Sequence, residues 1–318
     1  MFWLRGSGWT YVHVVLMAVL PAFLAAETKV SIKPRLSPHA SPGSTLRIDS
    51  NLVLIPVTVT DVKNQSVTGL GKEAFRIFEN QTEQDVVHFS MEDAPASVGL
   101  VFDRSRSVGE ELLKSRQAVA EFFQTANPED EFFLVDFNDR PYLSVPFTNA
   151  PEIIQNRLIS TQSEGRTALL DAVHMALSYM KRAQNTRRAL LVISDGADNH
   201  SRYSEAEVRS LVRESDVRIY TVAIGERDVM LPEEEPGALR LLAELAGDTG
   251  GCHFSVRNSN ELPRIAESIG LQLRNQYVLG FHPSGTGRDG KYHRIRVKLV
   301  QKPRLLVFSR PGYYARAQ

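Results

Sequence analysis

The chain has a single cysteine, Cys252, among its 318 residues. No intrachain disulfide can form and no cysteine-rich zinc site can be built. An excess of charge of one sign is also missing: 37 Lys and Arg stand against 37 Asp and Glu. No global basic field draws the chain to nucleic acid. The apolar run closest to a membrane span, Val14 to Ala26, has 13 residues, short of the ~20 that a helix needs to cross a bilayer. Neither a Gly-x-Ser-x-Gly nucleophile elbow nor a phosphate-binding loop occurs. Gly285-Thr-Gly287-Arg-Asp-Gly290 fits G-x-G-x-x-G. It lies between two strand-like runs and opens no helix, so it reads as a hairpin loop rather than a dinucleotide site.

What is present is ordinary globular composition, with 42% hydrophobic and 23% charged residues, enough for about two cored domains. Residues 1–26 read as a secretory signal: Arg5, then the apolar run, then small residues at Ala22, Ala25 and Ala26 before polar chain at Glu27. An uncleaved membrane anchor is the alternative. Residues 27–50, with Pro34, Pro38, Pro42 and several serines, read as a linker. In residues 51–93, Val53, Ile55, Val57 and Val59 alternate at period two, the pattern of a half-buried strand, and Pro56 within it points to an edge or a bulge. Strands are also expected at 74–79 and 85–91.

From residue 94 the pattern changes. Near-continuous apolar runs at 98–103, 131–137, 189–194 and 217–224 alternate with helical stripes at 110–125, 167–182, 209–215, 238–246 and 262–273. Such alternation predicts an α/β fold, a Rossmann-like doubly wound and mostly parallel sheet covered on both faces, over 94–275. Asn138-Asp-Arg-Pro141 predicts a turn into a strand at 142–147. In residues 276–318 period two returns, at 277–282, 293–300 and 305–309. The two β segments are expected to pair into one small sandwich with the α/β domain inserted between them; two separate appendages are the alternative.

Ligands of open α/β sheets bind outside the carboxyl ends of the strands. There the sequence places Asp103-Arg104-Ser105-Arg106-Ser107, then Thr167 at the expected N-cap of its helix, then Asp195-Gly196 with Asp198 and Asn199. Two carboxylates and three hydroxyls make an all-oxygen donor set, which suits a hard cation: Mg²⁺, Mn²⁺ or Ca²⁺. Neutral hydroxyl ligands leave such an ion seeking a further anionic oxygen. Asp136 and Asp139 reach the same edge, where turn formation is the default role. Asp198 reads as a turn former that can assist a metal indirectly. His200 reads as a surface residue and Cys252 as a buried thiol.

Asp103-x-Ser105-x-Ser107, Thr167 and Asp195-Gly196, in that order, resemble the metal-ion-dependent adhesion site of von Willebrand factor type A domains. Leu245-Ala-Gly-Asp-Thr-Gly-Gly251 with Phe254 is similar to the segment before that family's last strand. The resemblance covers about 94–275. Val57-Thr-Val-Thr-Asp61, Gln276-Tyr-Val-Leu-Gly280 and Pro311-Gly-Tyr-Tyr314 look like the flanks of secreted bacterial proteins related to that family. The resemblance implies that Ser105 and Ser107 bind the metal directly, that Thr167 binds directly or through water, and that Asp103 and Asp195 hold coordinating waters. The open position then takes a Glu or Asp of a protein partner. Arg104 and Arg106 depart from the small residues usual there, and a guanidinium beside the site opposes a cation.

The function expected is therefore that of an exported or cell-surface, non-enzymatic adhesion or interaction protein. Asp103, Ser105, Ser107, Thr167 and Asp195 would hold the metal, and Arg104, Arg106, Arg166 and Asn199 would meet the partner, with Asn138 to Pro141 on the same rim. The alternatives are a metal-assisted hydrolase on the same oxygen cluster and a metal-free scaffold in which Arg104 and Arg106 replace the cation.

Overall fold

The computed structural model describes residues 52–109, 111–224, 237–256, 258–283, 289–300 and 304–315. The signal at 1–26, the linker at 27–50 and most of the Gly285–Gly290 loop lie outside these residues. None of the described helices is long and apolar enough to cross a membrane.

The chain first forms β1 (Val53–Asp61), β2 (Phe75–Glu79), β3 (Thr82–Gln84) and β4 (His88–Glu92). The strand expected at 85–91 is β4, starting three residues later, and β3 is an additional short strand before it. Asn80 and Gln81 at φ 45° and 77° turn β2 into β3, the left-handed pair that tight hairpins require. β4 then crosses to another sheet.

The α/β part runs β5 (Ala96–Asp103), α1 (Leu112–Gln124), β6 (Glu131–Phe137), β7 (Pro141–Thr148), α2 (Pro151–Ile159), α3 (Leu169–Met180), β8 (Arg187–Ser194), α4 (Glu205–Glu214), β9 (Arg218–Ala223), α5 (Gly237–Thr249), β10 (His253–Ser255) and α6 (Leu262–Arg274). The sheet order is β10-β9-β8-β5-β6-β7, parallel except for β7, which returns antiparallel to β6. β5 and β6 are buried along their whole length, which explains their near-continuous apolar runs. α1, α2 and α6 cover one face and α3, α4 and α5 the other.

Two elements differ from expectation here. α2 has only Ile154 and Leu158 buried, too few to make a stripe; its signals are Pro151 at its first position and Glu152 in its first turn. α4 begins at Glu205, well before 209, because Ser204 and Glu207 close a reciprocal capping box.

β11 (Gln276–Phe281), β12 (Tyr292–Leu299), β13 (Leu305–Ser309) and the short β14 (Gly312–Tyr314) complete the chain. They build two four-stranded sheets with the opening strands, in the orders β13-β1-β11-β4 and β14-β12-β2-β3. Ile55, Val57, Val59, Phe75, Ile77, Tyr277, Leu279, Phe281 and Val297 form one core between them. The two β segments are a single sandwich.

The flanking motifs have visible jobs. Tyr277 donates its hydroxyl to Val67 O (3.0 Å) and accepts from Leu70 N (3.1 Å). Tyr313 donates to buried Glu79 at 2.7 Å. β1 is central rather than an edge, yet Pro56 fits. β13 pairs only with residues 57–61, so on that side Pro56 has no strand neighbour and its carbonyl accepts from Arg218 Nη2 at 2.7 Å.

Arg218 opens β9, and its Nη1 also donates to Thr58 Oγ1 at 2.7 Å. The sandwich therefore docks at the amino ends of the parallel strands and leaves their carboxyl ends clear. Gly250, at φ +75°, meets it there: a Cβ on Gly250 would come within 2.2 Å of the Ser309 carbonyl carbon. Gln272 of α6 adds a third tie, donating to Asn64 O at 3.0 Å and accepting from the Cys252 thiol at 3.1 Å. Burial pushes that thiol up to about 12, the inert behaviour expected of a buried cysteine.

Candidate metal and partner site

Adjacent parallel strands β5 and β8 end together, with Phe102 opposite Ile193. The pairing delivers Asp103 and Ser194 side by side, and Asp195 one residue later. Asp103 is 1% exposed. Its Oδ1 accepts from Ser105 N at 2.8 Å and its Oδ2 from Ser194 Oγ at 2.6 Å. The first bond bends the chain after β5 into a short turn that brings Ser105 Oγ and Ser107 Oγ to 3.1 Å. Asp195 is nearly buried, and its Oδ1 accepts from Ala197 N at 3.0 Å. Ser194 is a site residue that sequence reasoning does not single out; its only signal there is its place just before Asp195.

Thr167, 2% exposed, is not the N-cap of its helix. That position is Ala168, and the capping acceptor comes from elsewhere: Asp198 Oδ2 takes Leu170 N at 2.8 Å and Ser201 Oγ at 2.7 Å. Thr167 is instead bracketed by Asn199. Its N–H donates to Asn199 Oδ1 (3.1 Å), and Asn199 N donates back to Thr167 O (3.0 Å). Asp171 completes this clamp by accepting from Arg202 N and Tyr203 N. Three separated loops, after β5, before α3 and after β8, are thereby tied to one another.

The largest correction concerns the arginines. Arg104 does not stand over the cluster. Its Nε lies 2.9 Å from Asp136 Oδ1 and its Nη1 3.2 Å from Glu164 Oε1, and its side chain is 14% exposed. Asp136 is no turn former: it is fully buried, also accepts from Ser144 Oγ, and has Arg157 Nη2 at 3.6 Å. A buried carboxylate draws the nearest guanidinium because leaving it unpaired is costly. Arg104 is thus held by two acids and largely covered, whereas Asn199 brackets Thr167 and stays exposed.

Asn138 is also buried rather than displayed, and its carbonyl accepts from Ala168 N at 2.9 Å. Arg106 and Arg166 are exposed as expected. Arg106 makes no ion pair among the described residues, and Glu110 lies outside them. Arg166 Nη1 is 3.5 Å from His200 Nδ1.

The residues present fit a hard divalent cation. Burial, chiefly, and then the charge of Asp195 push the Asp103 carboxyl up to about 6. No basic side chain among the described residues pairs with either carboxylate. Two converging acids that lack a countercharge, ringed by hydroxyls, make a site that a cation completes. No group of three or more His, Cys, Asp or Glu suited to a metal occurs among the described residues, so any site here leans on hydroxyls.

Residues 98–197 match the family described as von Willebrand factor type A domain. That match falls within the α/β part of this chain, on β5 to the loop after β8. An uncharacterized protein of Borreliella burgdorferi is 25% identical over 200 residues, a match covering 56% of this chain and 58% of that protein. The match thus spans little more than half of the relative's length. Among solved structures, a von Willebrand factor type A protein from Catenulispora acidiphila has TM-score 0.49 and 10% identity, over 84% of this chain and 73% of its own. An aerotolerance-related membrane protein from Bacteroides fragilis has TM-score 0.46 and 16% identity, over 56% of this chain and 99% of its own. The α/β part keeps its oxygen cluster at the free end of the sheet, opposite the sandwich.

Proposed function

We propose that this chain is an exported, non-enzymatic interaction protein. Its von Willebrand factor type A domain holds a divalent cation, Mg²⁺ first, on Asp103, Ser105, Ser107, Thr167 and Asp195, and engages an acidic side chain of a protein partner. The observation that carries this reading is Asp103, buried beside Asp195 without a basic partner among the described residues. A hard cation bound mostly by neutral hydroxyls supplies an electrophilic position that attracts a further carboxylate oxygen.

Two observations weigh against the alternatives. A metal-free scaffold would use Arg104 and Arg106 as the charge substitutes, and Arg104 is occupied by Asp136 and Glu164, which leaves Arg106 alone for that role. A hydrolase needs a base poised at the metal. The nearest candidate, Asp198, already accepts from Leu170 N, Ser201 N and Ser201 Oγ. Export rests on the Met1 to Ala26 segment.

The test is Mg²⁺ titration calorimetry on the protein beside Asp103→Ala and Ser107→Ala. One saturable site, lost in the first variant and weakened in the second, is the expected result. Ser107 is exposed, so its variant reports on ligation with little effect on folding. Equal Mg²⁺ binding by all three proteins would overturn the reading.

A further inference from the structure

We infer that the partner surface recognises an acidic peptide segment, several carboxylates long, through a ring of arginines around the cation site. This inference rests on the proposed cation site and adds the chemistry of its partner.

The ring follows from how the loops are joined. Glu164 N donates to Arg104 O (2.9 Å) and Arg106 N to Gly165 O (3.2 Å). Arg166 N donates to Asp139 Oδ1 at 2.9 Å, and His200 N to Thr167 O at 3.1 Å. Gly165, at φ +80°, passes so close to Asp139 that a Cβ would come within 2.7 Å of its carboxylate. The loops carrying Arg106, Arg140, Arg166 and Arg202 are therefore stitched edge to edge around Thr167, and all four arginines are exposed.

Charge is layered at this end of the domain. The carboxylates Asp103, Asp136, Asp171 and Asp195 lie beneath, at 1%, 0%, 4% and 8% exposure. The guanidinium groups lie above; Arg202, which pairs with Asp171, keeps 82% of its side chain exposed. Among the described residues of these loops the exposed acids are Asp139 and Glu164, with Glu111 and Asp198 partly exposed, and Glu164 is held by Arg104. The exposed layer is therefore richer in guanidinium groups than the buried layer beneath it, which is acidic.

One partner carboxylate would satisfy the cation and leave Arg106, Arg140 and Arg166 without an ion pair among the described residues, while Arg202 keeps Asp171. An extended peptide advances ~3.3 Å per residue, and screening is incomplete within ~8 Å. Acidic residues flanking the anchoring carboxylate therefore fall within reach of the ring. The arginines surround a point instead of lining a track, with Asp139 and Glu164 between them, and that arrangement favours a peptide over a phosphate backbone.

The test uses the full chain and three fluorescent probes by anisotropy, each with Mg²⁺ and with EDTA. The probes are a decaglutamate peptide, a serine peptide carrying one glutamate, and a single-stranded DNA oligonucleotide. Decaglutamate is expected to bind more tightly than the other two, to weaken as salt is added, and to lose about tenfold in the Arg140→Gln/Arg166→Gln double variant. Both residues are on the surface, so the variant is expected to keep its melting temperature.

Decaglutamate binding that depends on Mg²⁺ but ignores the double variant would overturn the ring and leave the cation reading standing. Binding that ignores Mg²⁺ but falls in the variant would do the reverse. Equal binding of the one-glutamate peptide, or tighter binding of DNA, would overturn the acidic-segment inference.

Discussion

Arg104 and Asp136, on neighbouring strands' ends, are held together at 2.9 Å with Asp136 fully buried. The pair decides whether an arginine beside Asp103 opposes a cation or is removed from its path. Asp136→Asn should release Arg104 toward the oxygen cluster and lower Mg²⁺ affinity. It should also destabilise the fold by about 3 kcal/mol, the scale of breaking a buried pair. Adding Arg104→Gln to Asp136→Asn should restore Mg²⁺ affinity. Calorimetry on the two single variants and the double variant closes the cycle; a double variant that binds no better than Asp136→Asn would refute the withdrawal of Arg104.

Asp103 makes the site expensive to keep ionised. Its carboxyl is raised from 3.8 to about 6, first by burial. A carboxyl raised on folding stabilises the fold while protonated. That contribution is complete below the unfolded value and is lost as pH rises through about 6. At neutral pH the ionised form therefore costs the metal-free protein about 3 kcal/mol at most, since each tenfold change in proton affinity is worth about 1.4 kcal/mol. Asp103→Asn should stabilise the metal-free protein in urea at about pH 7, with the gain shrinking toward about pH 4. A variant less stable than the wild type at neutral pH would show that the carboxylate is not strained. Because protons and Mg²⁺ compete for the same carboxylate, Mg²⁺ affinity should fall as pH drops through about 6.

Much of this architecture is legible in the sequence because burial on both faces leaves its mark. β5, β6, β8 and β9 are near-continuous apolar runs, and the first three end where the chain turns polar. The return of period two in β12, with Arg294, Arg296 and Lys298 exposed against Ile295 and Val297 buried, marks the sandwich. What stays hidden has no periodicity. Asp136 sits beside an Asn-Asp-Arg-Pro turn and looks like part of it, whereas its partners Arg104, Ser144 and Arg157 come from three separate elements. Thr167 looks like the cap of α3 because the true acceptor, Asp198, lies 28 residues away from the N–H it takes. Strand rules alone put Pro56 at an edge or a bulge, since they do not include the Arg218 side chain that meets its carbonyl.

Gly250 tests whether the sandwich and the oxygen cluster are separable. Any side chain there must both hold φ at +75° and displace the Ser309 backbone. Gly250→Ala should therefore cost about 2–3 kcal/mol and increase hydrogen exchange in β1 and β13, where Arg218 and Gly250 fasten the sandwich. Mg²⁺ stoichiometry should be unchanged, since the glycine lies at the opposite end of the sheet. Loss of the cation site in a still-folded Gly250→Ala protein would show that the two ends are coupled.

Asp198 offers the sharpest separation of ligation from positioning. Among the described residues its hydrogen bonds reach no other member of the oxygen cluster. Its carboxylate accepts from Leu170 N at the start of α3 and from Ser201, and that second contact holds the loop whose Asn199 brackets Thr167. Asp198→Ala should remove about 1 kcal/mol of capping energy and also weaken Mg²⁺ binding, because Thr167 loses its fixed place. Asp198→Asn keeps an acceptor for Leu170 N and should recover most of both. If affinity instead tracked the lost charge, falling equally in Asn and Ala, then Asp198 would act on the cation through its field and not through Thr167. Melting curves and Mg²⁺ titrations on the two variants together distinguish these outcomes, since only the positioning role moves stability and affinity in step.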